Sequence, residues 1–269
     1  MSRIGERFER LRSRRAKGFI PFITAGDPDL ETTLGIMQKL AELGADVIEL
    51  GVPFSDPMAD GPTIQRSSQR ALENGVRLQN VLDLTNQFRA TFDVPVVLFS
   101  YFNPINRFGV EAFVSEAAAA GVDGLLLTDV IEDEAAEISA YLATRDMDLI
   151  SLVAPTTSDA RLRAICEKAR GFIYAVSTAG VTGARSEVSS AAEILVERTR
   201  KFTDRSVAVG FGISTSKQIG EVWEYADAAV VGSAIMSQIE KAGDKRAVDA
   251  VDVFVRGLLP KVAKKGREN

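Results

Sequence analysis

Three carboxylates crowd one stretch of this chain, Val47-Ile-Glu-Leu-Gly-Val-Pro-Phe-Ser-Asp-Pro-Met-Ala-Asp-Gly-Pro62. Glu49 lies inside a run of Val, Ile and Leu that reads as a buried strand. A charge there costs stability unless something pairs with it or uses it. No Lys or Arg stands beside Glu49 in sequence, which favours a functional role over a structural ion pair. To deliver a proton near pH 7, its pKa must rise from roughly 4.3, and burial among apolar neighbours has that effect. Asp60 has two readings: a cap for the helix after Gly61-Pro62, or an ionised group that stabilises positive charge in a substrate. Asp56, between Ser55 and Pro57, reads first as a turn residue or a partner contact.

Few other groups can do acid–base work. The chain has no histidine, which removes Ser/His/Asp and Cys/His catalysis and the usual zinc sites. Its one cysteine, Cys166, falls in a helical pattern with Leu162, Ile165 and Ala169 and reads as core. Lys17 and Lys168 precede strands and Lys201 sits on a helix, so no lysine is placed for Schiff-base or PLP chemistry. Tyr101 and Tyr174 are left as auxiliary polar groups. Magnesium at Asp56 and Asp60 is a minor alternative, and no metal site is expected.

A second set of residues suits an anion. Gly210-Phe-Gly212, Gly232-Ser233 and Gly183 fall in predicted turns after strands. Glycines let backbone N–H groups approach a phosphate, and a following helix adds partial positive charge. Tight-turn packing is the competing reading of any one of them. The Gly-, Ser- and Thr-rich segment 177–190 is long enough for a lid or an ordinary loop.

The elements that must hold these groups alternate regularly. A lead-in helix is predicted over 3–14 (Ile4, Phe8, Leu11). Strands are predicted at 18–24, 46–51, 94–100, 122–127, 148–153, 171–176, 206–209 and 227–231, with amphipathic helices between them. Residues 63–74 form an extra helix after strand 2, residues 101–109 a loop, and 190–201 the helix before strand 7. Thr215 and Gln218 fit a capping box. Eight such units in 269 residues, without a linker, match a single-domain (β/α)8 TIM barrel spanning 1–269. A doubly wound open sheet is the alternative, weakened by the lack of Gly-x-Gly-x-x-Gly after strand 1. In a barrel the active site lies at the C-terminal strand ends, where Glu49, Asp60 and the glycine turns all fall.

Composition suits a soluble globular protein with a large core: 46% hydrophobic, 26% charged, net charge -5. No basic stripe suggests nucleic acid, and no apolar run suggests a membrane span. The N-terminal segment is charged and amphipathic, unlike a signal peptide, so the cytoplasm is the expected compartment.

The motifs Phe22-Ile-Thr-Ala-Gly-Asp-Pro28, Glu49 through Gln65, Asn103-Pro104, Gly180-Val-Thr-Gly183 and Gly210-Phe-Gly-Ile-Ser214 resemble those of the tryptophan synthase alpha-chain family, nearly end to end. The resemblance implies a lyase that cleaves indole-3-glycerol phosphate to indole and glyceraldehyde 3-phosphate in tryptophan biosynthesis. It implies Glu49 as the acid–base residue and Asp60 as the partner of the indole N–H. It places Phe22, Leu50, Leu98, Leu126 and Tyr174 around the substrate and Thr182 on a lid. Backbone at Gly183, Phe211, Gly212, Gly232 and Ser233 would hold the phosphate. It further implies an α2β2 heterotetramer, with contacts near Pro53, Asp56, Asn103 and Pro104. No cofactor is expected on this chain, PLP belonging to the beta chain. Ser177-Thr-Ala-Gly180 departs slightly from the family pattern. The competing functions are a sugar-phosphate isomerase on the same fold and a non-catalytic subunit that only activates its partner.

Overall fold

The computed structural model describes residues 2–176, 185–210 and 212–260. Nine parallel strands run in the order β5-β4-β3-β2-β1-β9-β8-β7-β6. They are β1 (Gly18–Thr24), β2 (Ile48–Gly51), β3 (Val96–Ser100), β4 (Gly124–Leu127), β5 (Asp148–Leu149), β6 (Ser151–Val153), β7 (Ile173–Val176), β8 (Val207–Gly210) and β9 (Ala228–Val231). The two ends of this order, β5 and β6, are consecutive in the chain and separated only by Ile150. The Ile150 N–H donates to the Leu125 carbonyl at 2.8 Å. The stretch 148–153, expected as one strand, therefore pairs with β4 over its first half and with β7 over its second. That change of neighbour closes the sheet into the (β/α)8 barrel, because tilted strands meet their two neighbours at offset positions.

Side-chain alternation divides the core into two layers. Ile20, Val47, Val97, Leu126, Phe172 and Val230 face the barrel interior. Their chain neighbours, such as Phe19, Ile48, Leu98, Leu125 and Val231, face the surrounding helices. Helix α1 (Arg3–Ser13), capped by the Ser2 hydroxyl, inserts Ile4 and Phe8 into the interior layer. The Phe8 and Phe172 ring centroids are 5.3 Å apart. At the N-terminal strand ends, Asp46, Asp123 and Asp227 accept the N–H groups of Phe19, Val96 and Val207 at 2.7–2.8 Å. Arg7, Arg89 and Arg200 neutralise them in turn. Every buried carboxylate described at this end is matched by a cation or backbone donors.

The outer layer comprises α2 (Leu30–Glu42), α3 (Pro62–Glu73), α4 (Leu78–Arg89), α5 (Phe102–Phe108), α6 (Val110–Ala120), α7 (Glu132–Ala143), α8 (Asp159–Lys168), α9 (Arg185–Arg200), α10 (Ser216–Tyr225), α11 (Ser233–Ala242) and α12 (Ala247–Leu258). The extra helix after strand 2 is α3. The capping box at Thr215 and Gln218 is formed. Two expectations are corrected. Residues 102–108 are helical rather than a loop. Pro104 sits in the first turn, where a missing N–H is harmless, and Asp129 accepts the Phe102 N–H at 2.8 Å. Helix α9 begins at Arg185, so the last part of the segment expected as loop 177–190 is helical, and 177–184 lie outside the described residues. No described helix is long and apolar enough to cross a membrane.

Candidate active site

At the C-terminal ends of the strands a cavity of about 340 Å³ opens into the barrel. Its polar wall carries Glu49, Asp60 and Tyr174, and its apolar wall Phe22, Ile64, Phe99 and Val230. Gly212-Ile-Ser214 and Gly232-Ser-Ala234 complete its lining.

Strand parity aims Glu49. Val47 faces the interior, so Glu49, two residues on, does the same, in register with Phe22 on β1 and Val97 on β3. Its side chain is wholly buried, and neither carboxylate oxygen has a hydrogen-bond partner among the described residues. Burial pushes its pKa up to about 8. At neutral pH the group is therefore mostly a carboxylic acid with a proton to give.

Asp60 is held by its loop. The Met58 and Asp60 N–H groups donate to the Asp56 and Pro57 carbonyls, and the Gln65 amide donates to the Asp60 carbonyl at 2.9 Å. The N-cap of α3 is Gly61, with Pro62 in the first turn and no side-chain cap bond. Asp60 thus does not cap the helix, and its carboxylate faces the cavity. Burial raises its pKa and a Tyr101 hydrogen bond of 3.3 Å lowers it, leaving it at about 6. Tyr101 also accepts the Ala59 N–H at 2.9 Å and packs on Phe54, 5.1 Å between ring centroids. One residue thereby fixes both the Asp60 loop and its carboxylate. The Glu49 carboxyl, at about 8, holds its proton to higher pH than Asp60, at about 6.

Tyr174 is buried, and desolvation with the nearby Glu49 and Asp60 carboxylates pushes its hydroxyl well above the usual range, so it stays protonated. Two glycines exist for the aromatic side chains of neighbouring strands. A Cβ at Gly210 would lie 2.0 Å from the Tyr174 hydroxyl, and one at Gly51 would lie 2.6 Å from the Phe22 ring. The first glycine of Gly210-x-Gly212 is thus explained by packing, whereas Gly212 has φ 76° and lines the cavity.

Helix α11, which follows β9 two strands along from β2, also starts at the cavity. Its N-cap, Gly232, supplies no side-chain oxygen to the first-turn N–H groups. An uncapped helix N-terminus presents free donors and partial positive charge, the elements of an anion site.

Not every expected residue reaches the cavity. Leu50 and Leu98 are buried on the helix-facing side of β2 and β3, because each is one residue out of step with the interior parity. Leu126 faces the interior, in register with Phe99, but is not part of the cavity lining. Thr182, Gly183 and Phe211 lie outside the described residues. Of the expected partner contacts, Asp56 and Asn103 are exposed, Pro104 is half-buried and Pro53 is buried. Phe99, Ile64 and Val230 were missed. Counting parity onward from Val97 finds Phe99. Asp56 is bonded by the Ser55 hydroxyl at the surface. Among the described residues no three His, Cys, Asp or Glu side chains converge as metal ligands.

Two wider clefts lack this chemistry. The one between residues 54–58 and α3, about 790 Å³, carries exposed Asp56 and Glu73. The one beside α1, about 550 Å³, contains buried Asp148, already paired with Arg170 and Ser2.

The family model described as tryptophan synthase alpha chain matches residues 8–262. The tryptophan synthase alpha chain of Citrifermentans bemidjiense is 47% identical over 99% of this chain and 100% of its own length. That of Geobacter sulfurreducens is 48% identical over 96% and 98%. Among solved structures, tryptophan synthase subunit alpha from Legionella pneumophila superposes with a TM-score of 0.89 at 35% identity, covering 99% of this chain and 98% of the other. A chain of tryptophan synthase from M. tuberculosis, in an aminoacrylate-bound form, gives 0.85 at 36% identity, covering 96% and 100%.

Proposed function

The chain belongs to the tryptophan synthase alpha-chain family, and from that premise we propose that its cavity cleaves indole-3-glycerol phosphate with Glu49 and Asp60 as the catalytic residues. The activity is that of a lyase, releasing indole and glyceraldehyde 3-phosphate for tryptophan biosynthesis. The site assignment rests on a fully buried Glu49, unpartnered among the described residues, that shares one cavity with an uncapped helix N-terminus.

Protonated Glu49 gives its proton to indole C3, which turns the ring into an indoleninium cation. Ionised Asp60 accepts the indole N–H and stabilises that charge. The Glu49 carboxylate then takes the proton of the glycerol hydroxyl next to the ring. The bond from indole C3 to that carbon breaks, its electrons return to the ring, and the carbon becomes the aldehyde. Glu49 ends the cycle protonated, so the step consumes no net proton. Phe22, Phe99 and Ile64 supply an apolar slot for the indole, and Tyr174 a neutral hydroxyl beside it. Backbone at Gly212, Gly232 and Ser233 holds the phosphate, with Gly183 and Phe211 joining on the strength of the resemblance, as does Thr182 as a lid contact to Asp60.

The family implies a beta-chain partner. We place the chain in an α2β2 assembly in the cytoplasm, as one barrel domain spanning residues 1–269. PLP resides on the beta chain and this chain uses no cofactor. The exposed loop with Asp56 and Met58, the latter 93% exposed, and Asn103 on α5 supply a surface for that partner. The test is direct: mix the purified chain with indole-3-glycerol phosphate, with and without beta chain, and measure indole. Release is expected in both cases. Absence of indole in both would remove the lyase reading.

A further inference from the structure

Helices α3 and α11 both begin at the cavity, and each begins without a side-chain cap. The first follows Asp60 directly, and the second starts at the anion end. Two turns into each helix, the same ion cluster joins them. Arg70 lies eight residues past Pro62 and Glu240 seven past Ser233, which is roughly 12 and 10 Å along the two axes. Arg70 Nη1 donates to Glu240 Oε1 at 2.8 Å. Arg66 Nε and Nη2 donate to both Glu240 oxygens at 2.8 Å. The Arg70 guanidinium turns its other edge to Asp27 on the β1–α2 loop, with Nε and Nη2 at 2.8 and 2.9 Å from its two oxygens. Asp27 is 1% exposed on its side chain. On the same face of α3, Ser67 shares a 2.7 Å hydroxyl bond with Thr24 at the end of β1, and Asn74 donates to the Pro28 carbonyl.

A planar guanidinium bound on two edges fixes both separation and angle, which a lysine in its place would not do. We propose that Arg70, through Glu240 and Asp27, is a positioning residue that sets the distance between the Asp60 end and the anion end of the cavity. The pair acts on a substrate that must touch both ends at once, and it makes no contact with the substrate itself. This inference rests on the site reading above, in which indole lies near Asp60 and phosphate at the start of α11.

The test compares ligands of one end with a ligand of both. Binding of indole, of inorganic phosphate, and of an indole carrying a phosphate on a three-carbon chain is measured by calorimetry for wild type, Arg70→Lys and Glu240→Gln. Linking two fragments gains affinity only while the two subsites keep their spacing. In either variant the tethered probe is expected to weaken about 10-fold. Indole and phosphate alone are expected to bind as in wild type, and kcat for indole release to fall by about 10-fold or more. Glu240→Gln keeps the side-chain shape on a partly exposed helix face and serves if Arg70→Lys does not fold. Parallel weakening of all three ligands, or no weakening of the tethered one, would overturn the positioning role. A wild-type protein that does not prefer the tethered probe over indole would instead overturn the site reading, and the proposal with it.

Discussion

Glu49 is the one described side chain whose two carboxylate oxygens are both buried and unpartnered among the described residues. Its pKa is raised in the fold from 4.5 to about 8, so its contribution to stability is fully present below the unfolded value and is lost as pH rises toward the folded one. At pH 7 the loss is on the order of 3 kcal/mol, since each tenfold difference in proton affinity between the folded and unfolded chain is worth about 1.4 kcal/mol. Replacing the carboxyl by an amide removes the ionisation. Glu49→Gln is therefore expected to melt higher than wild type, by a margin that widens from about pH 5 to pH 8, while releasing no indole. Thermal melts across that range check the first half and the indole assay the second. Equal melting temperatures at every pH would mean that Glu49 ionises freely in the fold. At this scale the sequence was readable: a carboxylate among Val, Ile and Leu, in a chain without histidine, pointed to Glu49. Asp60 was not, because a residue before Gly-Pro can cap a helix or face a site, and only the Gly61 cap separates the two. Nor was the hydrogen bond from Tyr101, which joins residues far apart in the chain.

Strand parity governs what each element offers the cavity. Leu98 and Phe99 are neighbours on β3, yet Leu98 packs against the helices and Phe99 lines the cavity. The residue placement carried by the family resemblance is off by one position here, and a one-residue slip exchanges the two faces of a strand. Truncating the two residues should therefore give opposite signatures. Leu98→Ala is expected to cost about 2–5 kcal/mol of stability with KM for indole-3-glycerol phosphate unchanged. Phe99→Ala is expected to raise KM, since it opens the apolar slot and its T-shaped contact with Phe22, 5.3 Å between centroids, is lost. Denaturant melts and steady-state kinetics on the two variants check this. A raised KM in Leu98→Ala alone would reverse the assignment. Helix α5 escaped the sequence reading because Asn103-Pro104 resembles a turn, whereas a proline in the first helical turn is equally at home.

Across the whole barrel, the two ends treat charge differently. At the N-terminal end, Asp46, Asp123 and Asp227 receive backbone N–H groups and arginines, so they serve strand alignment. At the C-terminal end, Glu49 has no partner among the described residues and Asp60 is bonded by a neutral tyrosine hydroxyl, so both stay available to a substrate. The eightfold alternation was legible in the hydrophobic pattern, and with it the end on which chemistry must lie. Barrel closure through residues 148–153 was not, because a change of neighbour within one strand leaves no mark on its composition. In the proposed reaction Glu49 works protonated and Asp60 ionised within this one cavity. The most direct measurement is the pH dependence of kcat/KM for indole release by the purified chain. A bell is expected, with an acidic limb near pH 6, where Asp60 protonates, and an alkaline limb near pH 8, where Glu49 loses its proton. A profile that keeps rising through the alkaline range would contradict it.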